Sequence, residues 1–247
     1  MKNNIPILFV EINDLNYIFV AGVYDENKKF KVVEKIITPN EEISKERLIN
    51  IENASNIIKK NVELIENKLN YVFKDLTIII ENFDFTCVNI SGSKKLNGSK
   101  VLKENISYIL NSLKLTVMEN EERKTILHIF NSKSTLDGVE VENLPIGSFG
   151  DFYSHELTFF LIKNNVIKNI KQIFTKNNLN ISKVFLKSFS EGTELIKQNK
   201  IETFFKIKIN KRTTNLSFFE HASFRYSENF NFGTNIIYED ISKICSI

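Results

Sequence analysis

The stretch FFKIKINKRTTNLSFFE, residues 204–220, alternates apolar and polar side chains, breaks at a polar tip and returns through Leu216 to Phe219. That pattern predicts a β-hairpin with Phe205, Ile207 and Ile209 on one face and Lys206 and Lys208 on the other. Its tip places Asn210, Lys211, Arg212, Thr213 and Thr214 where Asn-Gly or Gly-Gly would ease the turn. Lys211 and Arg212 attract anions as point charges; a plain surface hairpin with solvated cations is the competing reading. Other reactive side chains are dispersed. His128, His155 and His221 have no partner at ligand spacing. Asp151, His155 and Glu156 suggest acid–base work, but nothing nearby supplies a nucleophile. Cys87 and Cys245 are too far apart for a metal cluster or a disulfide framework and read as reduced, structural thiols.

The elements that must carry this hairpin are visible in the same pattern. Strand-like runs at Ile5–Ile12, Asn16–Val23 and Phe30–Ile37 are joined by short polar links, which predicts an antiparallel meander. A helix follows from about Asn53 to Tyr71, with Ala54, Ile57, Ile58, Ile65 and Leu69 on one face. LTIII and FTCVNIS read as strands and GSKKLNGS as a loop. Ser99 is placed to cap a helix whose face is Leu102, Ile106, Ile109, Leu110 and Leu113. KTILHIF and HELTFFLI are strands around a long polar connection. A helix with Val166, Ile170, Ile173 and Phe174 inward, a strand KVFLKS and a short helix near Gly192–Gln198 come next. After the hairpin, SFRYSENF is a third strand and GTNIIYEDISKICSI begins a helix.

Bulk properties narrow the class. With 247 residues, 42% hydrophobic and 26% charged, the chain can bury a sizeable core in one large or two modest domains. A net charge of +3 from 33 basic and 30 acidic residues is too balanced for a nucleic-acid stripe. The apolar N-terminal stretch is interrupted by Glu11, Asn13, Asp14 and Asn16, so it reads as neither a membrane span nor a signal peptide. The cytoplasm is the expected compartment.

Residues 7–37 and 204–230 echo one another: strand, polar tip, strand, turn, strand, then a helix. Two such copies with βαβα between them resemble the duplicated domain of the actin, hexokinase and Hsp70 superfamily. ILHIFNSKSTLDGVEVENLPIG (126–147), ISGSKKLN (90–97), TTN (213–215) and FGTNIIYEDISK (232–243) occur in the order in which similar segments occur in the bacterial cell-division protein FtsA. The chain is therefore read as resembling that family over essentially its whole length. The resemblance implies an α/β class with mixed sheets, an actin/Hsp70-like (ribonuclease H-like) subdomain from residues 1–75 and 163–200, an inserted SHS2-type module at 76–162, and the opening strands of a second actin-like subdomain at 201–247, where the chain reads as truncated.

The resemblance also implies a nucleotide site, with ATP and Mg2+ as the cofactors the superfamily uses. The first phosphate tip would hold Glu11, Asn13 and Asp14, and the second Asn210, Lys211, Thr213 and Thr214, with Gly233 at the turn into the next helix. Phosphate cradles need close backbone approach, usually through glycine, and carboxylates to position the metal. Here the superfamily's glycines are Asn13, Asn210, Lys211 and Arg212, and the second tip's aspartates are Lys208 and Asn215. Lys187 and Ser188 stand where the family has Glu-Pro. These departures predict a non-hydrolysing protein with no catalytic or metal-ligating residues, in which ATP binding itself is undecided. The function implied is a cell-division adaptor at the inner face of the cytoplasmic membrane, tethering FtsZ, recruiting division proteins and self-associating into filaments. Membrane attachment would need a C-terminal segment beyond this chain, and no nucleic acid is involved. A pilus-assembly adaptor like PilM is the alternative, and a small-molecule kinase of the superfamily a third reading.

Overall fold

A computed structural model describes residues 5–41, 50–81 and 83–245; the ends of the expected subdomains at 1–4 and 246–247 lie outside them. The elements in chain order are β1 (Ile7–Ile12), β2 (Asn16–Tyr24), β3 (Phe30–Pro39), α1 (Ile51–Leu69), β4 (Asp75–Ile80) and β5 (Thr86–Lys95). Then come α2 (Lys103–Asn120), β6 (Lys124–Leu136), β7 (Val139–Val141), β8 (Phe152–Lys163), α3 (Asn164–Thr175) and β9 (Asn180–Leu186). The chain continues with α4 (Lys187–Asn199), β10 (Phe204–Ile209), β11 (Thr214–Glu220), β12 (Ser223–Phe230) and α5 (Asn235–Cys245). They form two compact units, Met1–Asp84 with Asn165–Glu191, and Phe85–Asn164 with Gly192–Ile247.

In the first unit the sheet order is β3-β2-β1-β4-β9. The meander pairs antiparallel, while β1 with β4 and β4 with β9 run parallel. Alternation buries Leu8, Val10 and Ile12 from β1 and Leu76, Ile78 and Ile80 from β4. Ile58, Val62 and Ile65 of α1 and Ile167, Ile170, Ile173 and Phe174 of α3 are buried too. Val166, expected inward, is only half-buried, because the stripe on this short helix runs through Ile167. α1 starts where Asn50 Oδ1 accepts from the Asn53 amide at 3.0 Å, satisfying one orphan N–H of the first turn.

The second unit holds a sheet of order β5-β8-β6-β7, antiparallel throughout. α2 lays Ile109, Leu113 and Val117 into one core with Leu157, Phe159 and Leu161 of β8. Three local readings change. β5 runs on to Lys95, so only residues 96–99 remain of the expected loop, with the αL residues Asn97 and Gly98 making the turn. Ser99 does not cap α2; the helix begins after Leu102, whose amide donates to Asn105 Oδ1 at 2.7 Å. β6 extends to Leu136 and turns through Asp137 and Gly138, both at positive φ, into β7.

A further three-stranded sheet, β10-β11-β12, belongs to this unit. Phe204 stacks on Phe219 (4.9 Å between centroids), Phe219 on Phe224 (4.8 Å) and Phe224 on Phe160 of β8 (4.4 Å). Each such pair contributes about 0.5–1.5 kcal/mol beyond area burial. Arg225 bridges Glu156 and Glu220 beside this column. Burial pushes the Cys87 thiol up to about 11, with a backbone hydrogen bond at Ser227 lowering it and the Glu228 charge adding to it. Cys87 therefore stays a thiol and donates weakly to the Ser227 carbonyl at 3.6 Å.

Candidate functional site

β1, β4 and β9 are parallel neighbours, so their C-terminal ends share one edge of the first sheet. In open α/β sheets that edge is where ligands bind. Glu11 is the penultimate residue of β1. Glu81 follows β4 and donates its amide to the Ile12 carbonyl at 3.0 Å, which extends the pairing and brings its side chain beside Glu11. Lys187 opens α4 directly after β9. Its Nζ lies 2.5 Å from Glu11 Oε1 and 3.1 Å from Glu81 Oε2, with all three side chains less than a quarter exposed. Burial lowers the affinity of this lysine for its proton, but the Glu11 hydrogen bond and the charges of Glu81 and Glu11 outweigh it, and the pKa is raised. The ammonium is a fixed charge at neutral pH.

The first hairpin tip is closed by its own side chains. Asn13 Oδ1 accepts from the amides of Leu15 (3.0 Å) and Asn16 (2.8 Å), making an Asx turn. Its Nδ2 donates to Glu11 Oε1 at 3.0 Å, the same oxygen that Lys187 reaches. Asn40 Nδ2 donates to the Asn13 carbonyl at 2.6 Å. Asp14 is half-buried in the same turn.

The second tip is equally self-contained. Asn210 donates its amide to the Thr213 carbonyl at 2.8 Å and its Nδ2 to Thr213 Oγ1 at 3.4 Å. Thr213 and Thr214 are buried, and Thr214 Oγ1 donates to the Phe232 carbonyl at 2.9 Å. The amides of Thr234 and Asn235, at the start of α5, donate to the Asn210 and Lys211 carbonyls at 3.0 Å each. Gly233 is what permits this: a Cβ there would lie 2.3 Å from the Asn210 oxygen and 2.7 Å from the Lys211 carbonyl. The amides of this helix start are thus spent on the hairpin's own backbone. Lys211 and Arg212 remain exposed at the tip.

Within each unit the fold brings together the residues the sequence singled out: Glu11, Asn13 and Asp14 in one, Asn210, Lys211, Thr213, Thr214 and Gly233 in the other. Glu81 escaped sequence reasoning, and Lys187 entered it only as a departure from a pattern; no local signal marks either as a partner of Glu11. Among the described residues no three His, Cys, Asp or Glu side chains group as a metal would need. Nor does the Glu11–Glu81 pair suit Mg2+, which demands oxygen ligands in octahedral array, because an ammonium already lies between them.

No protein-family model matches the chain, and no curated protein matches it in sequence. In structure it is similar to the PilM chain of the PilM–PilN type IV pilus biogenesis complex, with a TM-score of 0.63 and 10% identity over 99% of this chain and 67% of that one. It is also similar to the ethanolamine utilization protein EutJ from Carboxydothermus hydrogenoformans, with a TM-score of 0.51 and 7% identity over 98% of this chain and 58% of that one. The fold is actin-like. The mixed α/β class and the actin-like fold are those expected from the sequence. Neither likeness singles out the cell-division family or its inserted module; PilM, one of the adaptors weighed from the sequence, is among the similar structures. No helix among the described residues is long and apolar enough to cross a membrane.

Proposed function

We propose that this chain is a non-hydrolysing actin-like adaptor of the PilM kind, a protein-binding scaffold for an envelope assembly machine. The observation that carries the reading is Lys187, whose ammonium sits between the two carboxylates at the ligand-binding edge of the first sheet. Phosphoryl transfer by this class of fold depends on metal-held phosphates and a positioned water, and a lysine bound to one oxygen of each carboxylate sets a positive charge where the metal would have to sit. The self-closed tips support the same reading. PilM forms a complex with PilN; a PilN-type protein is accordingly the partner we propose, with self-association as a second property of the scaffold.

Purified full chain incubated with Mg2+ and ATP is expected to release phosphate at the rate of a no-protein control. Sustained metal-dependent release would overturn the non-hydrolysing assignment. Co-expression with the PilN-type protein of the same cell is expected to give a complex that co-elutes on size exclusion. Co-sedimentation with FtsZ filaments, in place of that complex, would restore the cell-division reading.

A further inference from the structure

Glu11, Glu81 and Lys187 come from three separate segments, and the parallel order of β1, β4 and β9 brings them to one point. Two carboxylates within reach of a single cation repel one another unless something positive lies between them. We infer that Lys187 is a resident counter-cation, an ammonium that takes the place of a divalent metal at this edge and makes the first unit independent of one. The inference rests on the non-hydrolysing reading above and goes further by assigning the electrostatic work of a metal to a side chain.

Three features support the assignment. The ammonium has three donors and uses two of them on the two carboxylates, at 2.5 and 3.1 Å. Its partners are the most buried members of the cluster, with side-chain exposures of 14% for Glu11 and 11% for Glu81 against 23% for Lys187, so solvent screens the contact less than at a surface pair. Asn13 Nδ2 completes the shell of Glu11 Oε1, turning the first tip toward the cluster as a donor. With Lys187 in place the cluster carries one net negative charge, which disfavours phosphate groups, and the lysine's own charge repels an incoming divalent ion. Removal of the ammonium leaves two facing carboxylates at a sheet edge, the donor chemistry that Mn2+ and Mg2+ prefer.

The test is thermal unfolding of the full chain in EDTA and in millimolar Mn2+. Wild type is expected to melt at the same temperature in both. Lys187→Ala is expected to melt lower than wild type in EDTA and to rise by about 4 °C or more when Mn2+ is added. The double variant Lys187→Ala with Glu11→Gln relieves the repulsion and is expected to lose the response to Mn2+. If Lys187→Ala does not fold in EDTA, its folding on addition of Mn2+ is the same expected result. A wild-type midpoint that rises with Mn2+, or a Lys187→Ala variant indifferent to it, overturns the inference. The two readings fail separately: ATP turnover by wild type strikes the proposed function, whereas a metal-blind Lys187→Ala in a chain that hydrolyses nothing strikes only the counter-cation.

Discussion

His155 lies in β8 on the α2-facing side with Tyr153 and Leu157, 1% exposed, and neither ring nitrogen has a hydrogen-bond partner among the described residues. Burial lowers its pKa and also that of His128. The unfolded chain binds these protons near pH 6.5 while the folded chain resists them, so stability is lost as pH falls below about 6.5. Urea midpoints between pH 7.5 and 5 should show that loss, by at most about 1.4 kcal/mol per pH unit for each histidine. His155→Leu should flatten part of the slope and match or exceed wild-type stability at pH 7, because an apolar group replaces a buried imidazole without partners. In the sequence this histidine has no partner at ligand spacing and no nucleophile nearby, which leaves it a structural or surface group with its burial unread. The same local logic could not reach Lys187, which is 176 residues from Glu11 and 106 from Glu81; only parallel pairing puts them together.

α4 and β10 show what element-level reading captures. Gly192, expected at the start of a short helix, lies inside α4, and a Cβ there would come 1.9 Å from the Phe219 ring. Gly192→Ala should therefore destabilise the second unit by about 1–3 kcal/mol through overpacking, read as a lower urea midpoint with unchanged slope. In β10 the period was legible and its sense was not. Phe205, Ile207 and Ile209, the more apolar row, face solvent with exposures of 66%, 63% and 61%. The register explains it: Phe204, Lys206 and Lys208 lie opposite Phe219, Ser217 and Asn215, and the Phe204–Phe219 stack fixes which face turns in. That inner face is polar toward the tip, where Asn215, Ser217 and Ser227 hydrogen-bond one another. Hydrophobicity alone points the wrong way on such a strand. The three-stranded pattern of both meanders was legible because alternation and short polar links are local properties; the boundaries that moved, at Lys95, Leu102 and Leu136, are set by cross-strand pairing with β8 and by helix capping.

Across the whole chain, the repeated meander was the property most readable in advance, and the two compact units show why the rest was not: each is assembled from segments separated by the other. The second unit exposes the outer row of β10 together with Ile237, Tyr238, Ile241 and Ile244 of α5, a helix that buries none of its described side chains. So much apolar surface predicts strong binding of an apolar fluorescent dye by the native chain, and Ile207→Lys with Ile209→Lys, which leaves the Phe205–Phe218 stack in place, should reduce that signal with little change in the thermal midpoint. The interleaving of segments has a consequence for biosynthesis. β9 begins at Asn180, a hundred residues after β4 ends at Ile80. At about 5–20 residues per second, the bare flank of β4 leaves the ribosome roughly 5–20 s before its neighbour exists. During translation that Ile-rich ribbon is an open template for pairing with other nascent chains, and its custody falls to whatever chaperone waits at the exit tunnel.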